Sequence, residues 1–169
     1  YLTTADGGFD FSVDFNKQEQ LSYRIIFCEI VSALTVQKKG GSFVCKFFDM
    51  YTIFTLKLLY LINIFFEEVY ITKPLTSRPA NSEKYIVAKN FLGINKYYLD
   101  RLHSVINTWD IVSNANLYIN DIFDIQLPKI FLDRIKSYNT DNYRVQIENI
   151  NKTLNIINSQ TDLSSVNPS

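Results

Sequence analysis

Ser42-Phe43-Val44-Cys45-Lys46-Phe47-Phe48 is an apolar run interrupted once, by Lys46. Seven residues is the length of a strand rather than a helix, and Val, Phe and Cys suit a pleated, packed surface. A nearly continuous apolar run of this kind is the pattern of a strand covered on both faces. On either side of it the period changes. Upstream, Ile26, Ile30, Ala33 and Leu34 recur at helical spacing within residues 17–37. Lys38-Lys39-Gly40-Gly41 then closes that helix, with cations at its carboxyl end and a glycine suited to a left-handed cap. Downstream, Phe54, Leu58, Leu61 and Phe65 form one stripe of a helix over residues 52–65.

Three more strands complete the pattern. Tyr1-Leu2-Thr3-Thr4-Ala5 reads as the end of a strand and runs into the turn signal Asp6-Gly7-Gly8. Residues 68–73 read as a strand stopped by Pro74, and residues 84–89 as a last one around Tyr85, Ile86, Val87 and Ala88. Strands alternating with helices predict an α/β fold with a parallel sheet. The polar loop at 75–81 is too short for a helical crossover, so the last two strands should be antiparallel.

Beyond Gly93 the chain turns helical and rich in Asn, Ile and Tyr. Tyr98, Leu102, Val105 and Trp109 make one stripe. Pro128 opens a second helix carrying Phe131, Ile135 and Tyr138, and Ile147, Ile150, Leu154 and Ile157 line a third. The expected division is a sheet domain at 1–93, a helical extension at 94–158 and a frayed tail at 159–169.

Composition narrows the class. With 47% hydrophobic and 15% aromatic residues in 169, the chain can bury a real core. Lys plus Arg equals Asp plus Glu at 17 each, so a nucleic-acid partner must be held by a local basic patch or by another part of the protein. Cys28 and Cys45 sit in apolar runs and read as free buried thiols of a reducing, intracellular compartment. The single histidine, His103, excludes a His-based zinc site, and no metal is expected. The most apolar stretch, 53–66, is broken by Lys57 and too short for a membrane span, so no membrane partner is expected.

Three ionisable residues stand at strand ends, where an α/β sheet places its ligands: Asp6, Lys46 and Glu83. A lysine inside an apolar strand must either extend to solvent or be paired, because burying a lone ammonium is costly. Taken singly, Asp6 can be part of a turn and Glu83 a solvated surface acid. In the loop between the last strands, Lys73 and Arg78 can hold phosphates, and Ser77 offers a hydroxyl.

Three motifs carry a resemblance: Lys73-Pro74 with Ser77-Arg78-Pro79 and Asn81-Ser82-Glu83 before Tyr85; Ala5-Asp6-Gly7-Gly8-Phe9; and Gly40-Gly41 followed by Phe43, Lys46 and Phe48-Asp49. Together they resemble the FtsJ-type ribose 2′-O-methyltransferases, closest to the cap-specific mRNA enzymes of eukaryotes and large DNA viruses. The similarity runs through residues 2–91 and continues weakly into Phe131-Leu132-Asp133-Arg134-Ile135 and Gln146 to Lys152.

The resemblance implies a Rossmann-like S-adenosylmethionine-dependent fold whose last strand is antiparallel. It also implies a Lys-Asp-Lys-Glu catalytic set of which Asp6, Lys46 and Glu83 are the last three members. The first lysine and most of the cofactor site would lie upstream of Tyr1, so the chain reads as an amino-terminally shortened, inactive piece. Asp6 is the cofactor contact expected within it. The implied cofactor is S-adenosylmethionine and the implied partner RNA, above all capped mRNA, with Lys73, Ser77 and Arg78 on the RNA side. Such an enzyme works in the nucleus, or in the cytoplasm if viral. Whether Lys46 serves as a neutral base or a charged stabiliser is open at this level. A ribosomal- or transfer-RNA ribose methyltransferase and a catalytically dead RNA-binding module of the same fold are the competing readings.

Overall fold

The computed structural model describes residues 1–8, 17–114, 119 and 121–164; Phe9 of the glycine motif and residues 165–169 of the expected tail lie outside these. The elements are β1 (Leu2–Ala5), α1 (Gln18–Leu21), α2 (Tyr23–Val36), β2 (Ser42–Phe47), α3 (Ile53–Phe65), β3 (Phe66–Thr72), β4 (Lys84–Phe91), α4 (Lys96–Asn114) and α5 (Lys129–Ser164).

The four strands form one sheet in the order β1-β2-β4-β3. β1 and β2 are parallel, and β4 lies between β2 and β3, antiparallel to both. The short β3–β4 connection therefore has the expected effect. β1, β2 and β3 run in one direction and β4 alone runs against them, so the sheet is parallel but for its last strand, as expected.

The sheet is two-faced. Phe43, Cys45 and Phe47 of β2 are buried and lie opposite Ala88, Ile86 and Lys84 of β4, which are buried as well. Val44 and Lys46 alternate to the other face beside Val87 and Tyr85, and all four are half-buried. The covering of β2 on both faces, expected from its apolar run, is thus overturned: helices cover one face and the other stays partly open.

On the covered face α2 contributes Ile26, Phe27, Ile30, Val31, Ala33 and Leu34, and α3 contributes Phe54, Leu58, Leu59, Leu61 and Ile62. Trp109 of α4 packs within 5.6 Å of the Phe27 ring and 5.7 Å of Phe54. Burying a side chain of this size contributes on the order of 2–3 kcal/mol relative to leaving it in water.

Helix ends differ in detail from the reading above. The expected helix at 17–37 breaks at Ser22, whose hydroxyl donates to the Glu19 carbonyl at 2.8 Å. α2 ends on Gln37 in an extended conformation, not on a left-handed glycine. Gly40 uses its φ of 79° three residues later, in the turn that enters β2.

The chain divides into two compact units, Tyr1–Pro74 with Glu83–Leu127, and Leu75–Ser82 with Pro128–Ser169. The sheet unit thus takes α4, which the sequence reading assigned to an extension. The second unit takes the loop between β3 and β4. In it, the two helices expected after Pro128 are one continuous α5 that runs to Ser164, through the expected start of the tail. Ile147, Ile150, Leu154 and Ile157 on α5 are 39–52% exposed, so that stripe is not a core face.

Candidate active site

Register brings the first two residues together. Ala5 pairs with Cys45 across parallel strands, so the next residues, Asp6 and Lys46, stand side by side as β1 ends. Lys46 Nζ lies 2.7 Å from Asp6 Oδ1 and also donates to the Asp6 carbonyl at 3.3 Å. The lysine side chain is 14% exposed and the aspartate 69%. The choice posed by a lysine in an apolar strand is resolved in favour of pairing. Next to it the backbone is bare: a Cβ at Gly8 would stand 3.5 Å from Lys46 Nζ.

Lys46 lies directly opposite Tyr85 on β4. The Tyr85 hydroxyl donates to Glu83 Oε1 at 3.2 Å. Burial raises the Tyr85 pKa first, and the charges of Glu83 and Asp6 raise it further, so this phenol sits in the field of both acids. Glu83 thus meets the Lys46 face of the sheet by way of Tyr85.

Lys73 donates to the Glu83 carbonyl at 2.8 Å. Its pKa is lowered, by burial first and then by nearby Lys84, against the opposing pull of Glu83 and Asp49. The sequence reading aimed this ammonium at phosphate; here it braces the start of β4.

Ser77 and Arg78 belong to the second unit. Their turn is closed by Asn81 N–H donating to the Arg78 carbonyl at 3.2 Å and by Ser77 Oγ donating to Asn81 Oδ1 at 3.5 Å. Gln146 of α5 adds a bond from Nε2 to the Ala80 carbonyl at 2.8 Å. The Arg78 side chain is exposed.

Three groups escaped the sequence reading. Lys84, 1% exposed, donates to the Phe48 carbonyl at 3.2 Å and reaches Asp49 Oδ1 at 3.3 Å. Glu19, also buried, accepts at Oε1 from Tyr51 N–H (3.0 Å), Thr52 N–H (2.9 Å) and the Thr52 hydroxyl (2.8 Å). It so fixes the entry of α3 just after the strand that carries Lys46. Glu29 of α2 accepts from Gly7 N–H at 2.6 Å. Among the described residues no group of three His, Cys, Asp or Glu is arranged to hold a metal ion.

Residues 1–91 match the family described as FtsJ-like methyltransferase. The chain belongs to that family. The FtsJ-like match ends on the last residue of β4 and so takes in all four strands with α1, α2 and α3.

Individual relatives extend past it. The protein named cap-specific mRNA (nucleoside-2′-O-)-methyltransferase 1 is 48% identical in Mus musculus over 123 residues, which is 70% of this chain and 15% of the mouse protein. The Homo sapiens protein of that name is 38% identical over 130 residues, 76% of this chain and 15% of its own length. That of Caenorhabditis elegans is 37% identical over 149 residues, 82% of this chain and 16% of its own length. This FtsJ-like chain therefore spans about 15% of the length of the curated relatives it matches.

Proposed function

We propose that this domain serves methyl transfer from S-adenosylmethionine to a ribose 2′-hydroxyl of RNA, with the first transcribed nucleotide of capped mRNA as acceptor. The observation that carries the reading is the Asp6–Lys46 ion pair at 2.7 Å, held on two adjacent strand ends beside bare glycine backbone. Capped mRNA as the acceptor is supported by what the relatives are named for.

The residues fit the implied cofactor. Asp6 has a largely exposed carboxylate next to Gly7 and Gly8, and S-adenosylmethionine is cationic at its sulfonium and amino groups. Asp6 would hold that end of it. When bound, the cofactor supplies an electrophilic methyl group, so the protein's task is chiefly alignment. Lys46, fixed by Asp6, sets a positive charge beside the 2′-oxygen and steadies the negative charge that grows there as the hydroxyl proton passes to water. Glu83 and Tyr85 orient the sugar edge from the opposite strand.

Comparing methyl acceptance by capped RNA, the same RNA uncapped, and transfer RNA, with the whole natural protein as the enzyme, tests the substrate reading. Transfer to capped RNA alone is expected. Equal use of transfer RNA would favour the other branch of the family, and no transfer to any would favour a binding module.

The exposed Arg78 side chain suits a phosphate contact, with Ser77 beside it in the same turn. Arg78→Ala is expected to weaken RNA binding uniformly across sequences and to reduce the salt slope of log K by about one. An unchanged slope in a titration from low to moderate salt would remove Arg78 from the interface.

A further inference from the structure

Asp6 and Lys46 meet on one face of the sheet end, and what lies behind them on the other face is a carboxylate. Glu29 projects from α2 between two strand ends and uses one oxygen on each. Oε1 accepts from Gly7 N–H at 2.6 Å, and Oε2 lies 3.6 Å from the Cys45 thiol, whose single S–H it shares with the Lys46 carbonyl at 3.5 Å. Gly7 directly follows Asp6, and Cys45 directly precedes Lys46. We propose that Glu29 is a positioning residue for methyl transfer: by tying Gly7 to Cys45 it sets the separation and orientation of Asp6 and Lys46.

Several observations fit this and not a solvated helix residue. A Cβ on Gly7 would stand 2.4 Å from Ile25 Cδ1 and 2.5 Å from Glu29 Oε1. The helix is thus seated directly against the turn, and a side chain at residue 7 would displace the Glu29 carboxylate from the backbone it reaches. Burial, then Glu29 itself, push the Cys45 thiol well above its usual range, which keeps it protonated and able to donate. Glu29 in turn is raised by its own burial, against the pull of Gly7 N–H, Cys45 and Lys46, with Asp6 adding to the rise. A half-buried acid that satisfies one donor from each strand end is built to hold them.

The inference rests on the reading of Asp6 and Lys46 as reacting groups, and the test separates the two. In the natural full-length protein, kcat and KM for S-adenosylmethionine and capped RNA are measured for Glu29→Ala, Glu29→Asp, Glu29→Gln and Lys46→Ala, with unfolding midpoints alongside. Glu29→Asp is one methylene too short to span both donors. It and Glu29→Ala should lower kcat roughly 10–100-fold, as small misplacements of reacting groups do. KM for capped RNA should hold within about twofold, because Glu29 does not touch it. Glu29→Gln keeps an acceptor oxygen for Gly7 and turns its amide N–H to the Cys45 sulfur, which accepts weakly while its S–H goes to the Lys46 carbonyl. The tie survives, so kcat should stay within about threefold of the parent.

Parental kcat in a folded Glu29→Asp protein, or a Glu29→Gln protein as slow as Glu29→Asp, overturns the inference while a slow Lys46→Ala protein leaves the site reading intact. Parental kcat in Lys46→Ala overturns the site reading itself. Glu29→Asp carries the comparison even where Glu29→Ala does not fold.

Discussion

Lys46→Ala is expected to lower methyl transfer by roughly 10²–10⁴-fold, the usual worth of a positioned charged or proton-transferring group. Its effect on stability should be small. The partner acid is mostly solvent-exposed, and ion pairs of that kind contribute about 1 kcal/mol or less. The alanine protein should therefore bind RNA and melt close to the parent while its single-turnover rate collapses. Lys46→Arg retains a positive charge but replaces a compact ammonium with a planar fork that can stack on the Phe48 ring, 5.9 Å from the present ammonium, and leave its place beside Asp6. It should stay slow as well. If either variant transferred methyl groups at near-parental rate, the amine would not be at the reacting oxygen. Asp6→Asn supplies an intermediate case, since the amide can still accept a hydrogen bond from Lys46 but no longer fixes it by charge.

That Lys46 is paired can be read from one line of sequence, because a lysine inside an apolar strand has few ways to be satisfied. Asp6 follows from it once β1 and β2 are known to be parallel. The helices α2 and α3 are equally plain in their stripes of Ile, Leu and Phe. The insertion of β4 between β2 and β3 is set by long-range pairing that no local pattern encodes, and the sequence reading did not contain it.

The continuity of α5 was hidden differently. Asn139-Thr140-Asp141-Asn142 has the composition of a loop, yet it contains neither glycine nor proline, and tertiary context carries the helix through it. Glu19 and Glu29 look like solvated faces of an amphipathic helix, and only the neighbouring backbone N–H groups show otherwise. Lys84 could have been found. It stands in phase with Ile86 and Ala88, so the alternation that buries those two residues buries it as well.

Lys84 supplies the largest expected change in stability. Its ammonium is sealed under the sheet end and touches Asp49, whose side chain is 33% exposed. Burial lowers the Lys84 pKa first, and Asp49, with Glu19 behind it, pulls it back up. Asp49→Ala removes the contacting carboxylate from a buried cation, a change that typically costs about 3–5 kcal/mol. For a chain of this size that corresponds to a fall in melting temperature of roughly 6–20 °C.

Lys84→Met should be far milder, about 1 kcal/mol, because it keeps the packing volume and leaves behind an acid that water can reach. The double variant should then be more stable than Asp49→Ala alone. The sign of the pH dependence follows from the lowered pKa. Between that value and the ordinary 10.5, the unfolded chain holds the proton that the folded chain has lost. The penalty of the unpaired ammonium is therefore complete below the lowered pKa and shrinks as pH rises through the window, so the gap between Asp49→Ala and the parent should narrow toward pH 10. Denaturant titrations at neutral and alkaline pH measure it; an Asp49→Ala protein as stable as the parent at neutral pH, or a Lys84→Met protein equally crippled, would mean that this pair does not hold the charge in place.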